Sequence, residues 1–218
     1  MSEQGQRRAG LSREKVIDAA MALADSDGID SLTIRALADS LGTKPMSMYH
    51  YVDGKDALLA AMVEAVFAEM KRPDPDLPWR DAIWNRCVSA RDVLRRHPWA
   101  VPLLESGTAP GPESLAHHEA VLAALSRGGM ALPLMAHAYA ILDSFIYGFA
   151  MEEANLAVQG GEASAELAEQ ISAAFDPAKY PNLVRLATEH VMRPDYSFGA
   201  SFEYGLDLLL DGLERAQD

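Results

Sequence analysis

A chain of 218 residues with one cysteine, Cys87, is long enough to bury a helical core unaided and excludes an intrachain disulfide. Its net charge of −13 argues against nucleic-acid binding only where the acidity lies: residues 1–55 hold seven basic and eight acidic side chains, and residues 56–218 hold 12 and 24. Met1 to Gly10 carries Arg7 and Arg8 but no apolar run with a cleavage site, so no secretory signal is expected and a reducing, cytoplasmic setting fits.

Apolar residues recur at three- and four-residue spacing almost throughout, without strand-like alternation, so the fold class is all-α. A first helix is expected from a Ser12 cap to about Ser26, burying Val16, Ala19, Ala20 and Leu23 and ending at Gly28. A second starts at a Thr33 cap and stops at Gly42. A third runs from about Lys44 to Tyr51 with Pro45 in its first turn, where the missing N–H costs nothing. Asp53-Gly54-Lys55-Asp56 opens a fourth, to about Lys71, and the proline-rich Pro73 to Pro78 segment marks a seam. Beyond it come helices from Trp79 to His97, Trp99 to Glu105, Pro112 to Arg127 and Leu132 to Val158, broken at Gly128-Gly129 and Gly160-Gly161. Others are expected near Ser164 to Phe175, Pro181 to Met192 and Asp195 to Arg215. Leu132 to Met151 has the length of a membrane span, but Pro133, His137, Asp143 and Ser144 favour a buried helix of a soluble protein.

The segment from Thr33 to Val52 has the form of a helix-turn-helix. Ile34, Leu37 and Leu41 make the inner stripe of its first helix, Ala38 is small enough for a close crossing, and Gly42 permits the turn. Met48 and Val52 point back to a small core, which leaves Lys44, Pro45, Met46, Ser47, Tyr49 and His50 on or near the outer surface, where a major groove would meet them. The stretch LTIRALADSLGTKPMSMYHYVDGKDALL, Leu32 to Leu59, resembles the TetR family of repressors in its Thr cap, Leu-Ala, Leu-Gly, Tyr and Lys spacing. That resemblance implies phosphate contacts for Thr33, Tyr49 and Lys55, and base-proximal positions for Arg35, Pro45, Met46, Ser47 and His50. The expected organisation is a reader over 1–55 and a helical effector-binding and dimerisation domain over 56–218.

The body is similar to the tetracycline-repressor subgroup in HPWAVPLLESG, LDSFIYGFAMEEA and FEYGLDLLLDGLE. In that subgroup's prototype a His before a Gly-Thr-x-Pro turn binds the drug's magnesium. Here Gly107-Thr108-Ala109-Pro110 matches the turn, Glu105 replaces the His, and Arg86 stands in place of a pocket Asn, which implies a metal-free effector, with Arg86 able to hold an acidic or strongly accepting group. Effector-facing candidates are Arg86, Glu105, His117 and His137, with Met62, Trp84, Val66, Val121 and Leu142 as apolar walls. Apolar residues around both faces of the Leu132 and Asp195 helices imply a homodimer through Phe145, Phe149, Phe202, Leu206, Leu209 and Leu213.

Consecutive residues His117, His118 and Glu119 point about 100° apart on a helix and do not share one metal ion, so no metal site is expected. Cys87 lacks a neighbouring base, and no phosphate loop or nucleophile elbow is present, so neither catalysis nor a cofactor is expected. The partners implied are double-stranded operator DNA and a small molecule. Two other readings of the same sequence are a helical ligand carrier or enzyme that has lost DNA binding, and an activator or architectural adaptor using the same reader.

Overall fold

The computed structural model describes residues 11–105, 110–158, 176–193 and 195–217. Among these the chain is helical throughout: α1 Arg13–Asp27, α2 Ile34–Ser40, α3 Pro45–Met48, α4 Lys55–Glu69, α5 Trp79–Arg96, α6 Ala100–Glu105, α7 Pro112–Arg127, α8 Leu132–Val158, α9 Pro181–Leu186 and α10 Ala200–Arg215. A 3₁₀ turn, Ile29–Ser31, follows α1, and a π-helical turn, Ala187–Val191, follows α9. The helix expected over Ser164 to Phe175 lies outside the described residues, as do Arg7, Arg8 and the turn at 107–109.

The chain forms two compact units, one of residues 1–72 and 92–120, the other of 73–91 and 121–218. In the first unit, side-chain caps start two helices. Ser12 accepts from Lys15 N at 3.3 Å to begin α1, and Thr33 accepts from Ala36 N at 3.0 Å to begin α2, each satisfying an amide that has no partner within its helix. The end of α2 is a Schellman closure: Thr43 N donates to Ala38 O at 2.9 Å and Gly42 N to Asp39 O at 3.1 Å, with Gly42 at φ 62°. The core beneath is built from Val16, Ile17, Ala20, Met21 and Ala24 of α1, Leu37 and Ala38 of α2, and Met48, Val52 and Leu58. Ala19 and Leu23 are only half-buried, so α1 is rotated from its expected phase; Ile17, Met21 and Ala24 take the inner stripe. The third helix is also shorter than expected, a single turn after which Tyr51 N and Val52 N both bond to Met48 O.

The first unit fastens α4 to its neighbours with carboxylates. Glu64 accepts from Glu113 N at 2.7 Å and Ser114 N at 3.3 Å, capping α7 from another helix, and Arg72 pairs with Glu113 at 2.6 Å.

The second unit centres on α8, which packs on α10. Ala138, Leu142, Ile146 and Ala150, spaced by four, form its buried stripe. Beside them Phe145 stacks on Phe202 at 5.1 Å between centroids and Phe149 on Phe198 at 4.7 Å, while the Arg91 guanidinium lies 5.0 Å from the Phe202 centroid and pairs with Glu153 at 2.6 Å. By length and composition α8 would pass as a membrane span, and 22% of its most apolar window is buried within the chain itself.

Candidate nucleic-acid interface and effector site

The turn at Gly42 and the short α3 turn one set of side chains outward. Thr33, Arg35, Lys44, Pro45, Met46, Tyr49, His50 and Lys55 are exposed, Met46 at 74%, and Ser47 is half-buried. Thr33 spends one oxygen lone pair on its cap and keeps its hydroxyl proton for another acceptor. Lys55 is the first residue of α4, so its ammonium stands at the end of a helix where the backbone amides add positive potential. A thioether, a phenol, an imidazole and three cations, all exposed, match what groove edges and phosphates need: donors for anionic oxygens and a soft apolar group for thymine methyls.

In the second unit Arg86 is the largest fully buried side chain, 1% exposed, and its Nη2 donates to Asp143 Oδ1 at 2.7 Å. Burial works against the guanidinium's charge, but Asp143, Cys87 and Tyr147 together outweigh burial and the pKa is driven up. Tyr139 bonds to Asp143 and Tyr147 to Arg86, and burial pushes both phenols up, Tyr139 to about 12. Cys87, next along α5, is raised by burial to about 11 and stays a thiol. The cluster is therefore a charge-balanced pair framed by two neutral hydroxyls.

The other effector candidates fare unevenly. Met62, Val66 and His117 are buried in the first unit, where the His117 ring lies 5.5 Å from Phe67. Trp84 is half-buried in the second unit, with Val121 and Leu142 fully buried. His137 is exposed on α8, which corrects its expected inward placement: the inner stripe runs through Ala138, and His137, one residue earlier, is turned about 100° away. The Glu105 side chain lies outside the described residues. Among the described residues no group of three or more His, Cys, Asp or Glu is arranged to hold a metal ion.

The expected dimer residues divide into two groups. Phe202, Leu206 and Leu213 are buried within the chain's own second unit, and Phe145, Phe149 and Leu209 are half-buried. Exposed apolar positions include Leu132, Ile141, Gly148, Met151 and Leu156 on α8 and Tyr204, Leu208 and Gly212 on α10, with Tyr204 70% exposed. Helices apolar all round do not reveal from sequence which stripe serves the chain itself. Sequence reading also missed Asp143, Tyr139 and Tyr147 around Arg86. The available signal was two opposite charges, Arg86 among Ala82, Ile83, Cys87 and Ala90 and Asp143 in the middle of the apolar α8, since charges on apolar faces are expected to pair.

The architecture is that of a helix-turn-helix regulator, and two family profiles match it: "Bacterial regulatory proteins, tetR family" over residues 16–62 and "Tetracyclin repressor-like, C-terminal domain" over 72–216. The chain belongs to the tetR family of transcriptional regulators, with a tetracycline-repressor-like C-terminal domain. It is similar to the HTH-type transcriptional repressor DrrR1 of Streptomyces coeruleorubidus, 30% identical over 215 residues that span 94% of this chain and 77% of the relative. Tetracycline repressor protein class C of Escherichia coli is 30% identical over 213 residues, 94% of this chain and 91% of that one. In fold it resembles the Streptomyces coelicolor TetR family protein ActR, solved in complex with actinorhodin, at a TM-score of 0.76 and 26% identity over 96% of this chain and 99% of that one.

Proposed function

We propose that the protein is a homodimeric repressor that occupies a palindromic operator in the cytoplasm and leaves it when a small molecule binds its C-terminal domain. The observation that carries this reading is the outward set of Arg35, Lys44, Met46, Tyr49, His50 and Lys55 on a three-helix reader whose own core is closed by Leu37, Met48 and Val52. Two readers held by one dimer meet half-sites about one helical turn, roughly 34–36 Å, apart. The dimer contact is assigned to the uncovered stripe of Ile141, Gly148, Tyr204 and Leu208, where glycines let helices of two chains approach closely.

The effector is read as a metal-free aromatic molecule bearing hydroxyl or carbonyl groups, recognised near Arg86, Asp143, Tyr139, Tyr147 and Trp84. ActR's capture of actinorhodin supports a small-molecule ligand for this family member. An acidic effector is disfavoured because Asp143 already neutralises Arg86, and a carboxylate would have to displace it. Release requires only that the ligand bind the DNA-incompetent arrangement better than the other.

Selection of bound DNA from a random pool tests the reading. A two-fold symmetric site is expected, on which Arg35→Ala costs about 1–3 kcal/mol and relaxes one base position, whereas Lys55→Ala weakens all sequences alike. Leu208→Asp is expected to give a monomer that no longer retains the site. Recovery of no preferred sequence, or a Leu208→Asp chain that still sediments as a dimer, overturns it.

A further inference from the structure

Asp25, in the last turn of α1, is held by two donors from one corner of the chain. Its Oδ1 accepts from Trp99 Nε1–H at 2.6 Å and from His97 Nδ1–H at 2.8 Å. Both rings are buried, 5.8 Å apart between centroids. The far edge of the same imidazole faces α4: His97 Nε2 lies 3.3 Å from Glu69 and 3.5 Å from Arg96 Nη1, and Arg96 itself pairs with Glu69. The corner His97-Pro98-Trp99 joins α5 to α6 and is fixed by its own backbone bonds, His97 N to Val93 O at 3.0 Å and Ala100 N to His97 O at 2.9 Å.

Three features separate this corner from ordinary packing. It grips the two helices that flank the helix-turn-helix, α1 before it and α4 after it, and none of its members belongs to the outward set at 33–55. The grip on Asp25 survives either charge state of the imidazole. Neutral His97 donates from Nδ1 to Asp25 while Nε2 accepts from Arg96; charged His97 donates to Asp25 and Glu69 together. A bond to an ionised carboxylate from a nearly closed ring is also stronger than one between neutral groups.

We infer that Asp25, His97 and Trp99 are positioning residues for operator recognition: the corner sets the angle at which α1 and α4 hold the reader, without touching DNA. This rests on the operator reading above, and the test separates the two. Asparagine places an amide N–H where Nδ1 stands, whereas glutamine places one where Nε2 stands. His97→Asn is therefore expected to keep the grip on Asp25 and bind the selected operator within about twofold of the unmodified protein. His97→Gln, Asp25→Ala and Trp99→Phe are each expected to lose about tenfold, with affinity for random DNA unchanged. Trp99→Phe removes the N–H but also the indole's second ring and leaves a void at a buried site, so its fold is checked by near-UV circular dichroism, and the pair His97→Asn and His97→Gln, which differ in where the amide N–H stands, carries the comparison.

Hydrogen exchange across residues 13–51, measured without DNA, gives an independent reading: amides of α1 are expected to exchange faster in His97→Gln and Asp25→Ala but not in His97→Asn. Equal operator affinity in all four variants, equal losses for His97→Asn and His97→Gln, a matching fall on random DNA, or unchanged exchange overturns the inference. If the unmodified protein selects no site, the operator reading is what fails, and the exchange pattern still decides whether the corner holds α1.

Discussion

The two units solve the problem of a polar group near a core in opposite ways. The reader's unit keeps its chemistry outside, with Met46, Tyr49 and His50 exposed over a core of Leu37, Met48 and Val52, and spends side-chain oxygens such as Thr33's on helix ends. The second unit places its chemistry inside, where Arg86 and Asp143 pair among apolar helices beneath Tyr139 and Tyr147. A surface that must meet DNA gains from groups still hydrated until contact. Under the proposed function, an interior that discriminates small molecules gains from groups already desolvated and fixed, which respond sharply to a misplaced partner.

The largest test of that contrast is to break the inner pair. Arg86→Met or Asp143→Leu alone strands a buried charge and is expected to cost about 3–5 kcal/mol, whereas the double substitution recovers most of it. Urea unfolding of the three variants measures this; single losses no larger than the double would mean the pair is not interior in solution. The outer strategy is tested by its geometry. Gly42→Val, at φ 62°, is expected to cost about 1–2 kcal/mol, and Thr33→Ala about 1 kcal/mol through its cap, both read as a lower thermal midpoint. The smallest effect concerns Cys87. Its folded pKa of about 11 lies above the ordinary value of 9.0, so over that interval the unfolded thiol ionises first and stability falls as pH rises, by at most about 1 kcal/mol from pH 9 to 10. Cys87→Ala is expected to flatten that slope.

The same contrast explains how much was legible from sequence. Caps and turns are local, so Ser12, Thr33, Gly28 and Gly42 mark the ends of α1 and α2 within a residue or two. The rotation of α1 was not legible because Val16, Ile17, Ala19, Ala20, Met21, Leu23 and Ala24 offer apolar groups on nearly every side, and only the partner helices choose among them. In the second unit long-range partners decide almost everything. Arg86 stood out as a polar candidate, but its pairing with Asp143, 57 positions away, has no local mark. Phe202 and Leu206 looked like interface residues because α10 is apolar on two sides, and the chain's own core claims one of them.

Gly111 carries a consequence of a different kind. A Cβ there would stand 2.4 Å from Glu64 Cδ, in the space that carboxylate uses to reach the first amides of α7. Residues 64 and 111 are therefore coupled: a side chain at 111 would turn the flexible end of Glu64 away from Glu113 N and Ser114 N, so the cost of filling that space is an uncapped α7 rather than a crowded core.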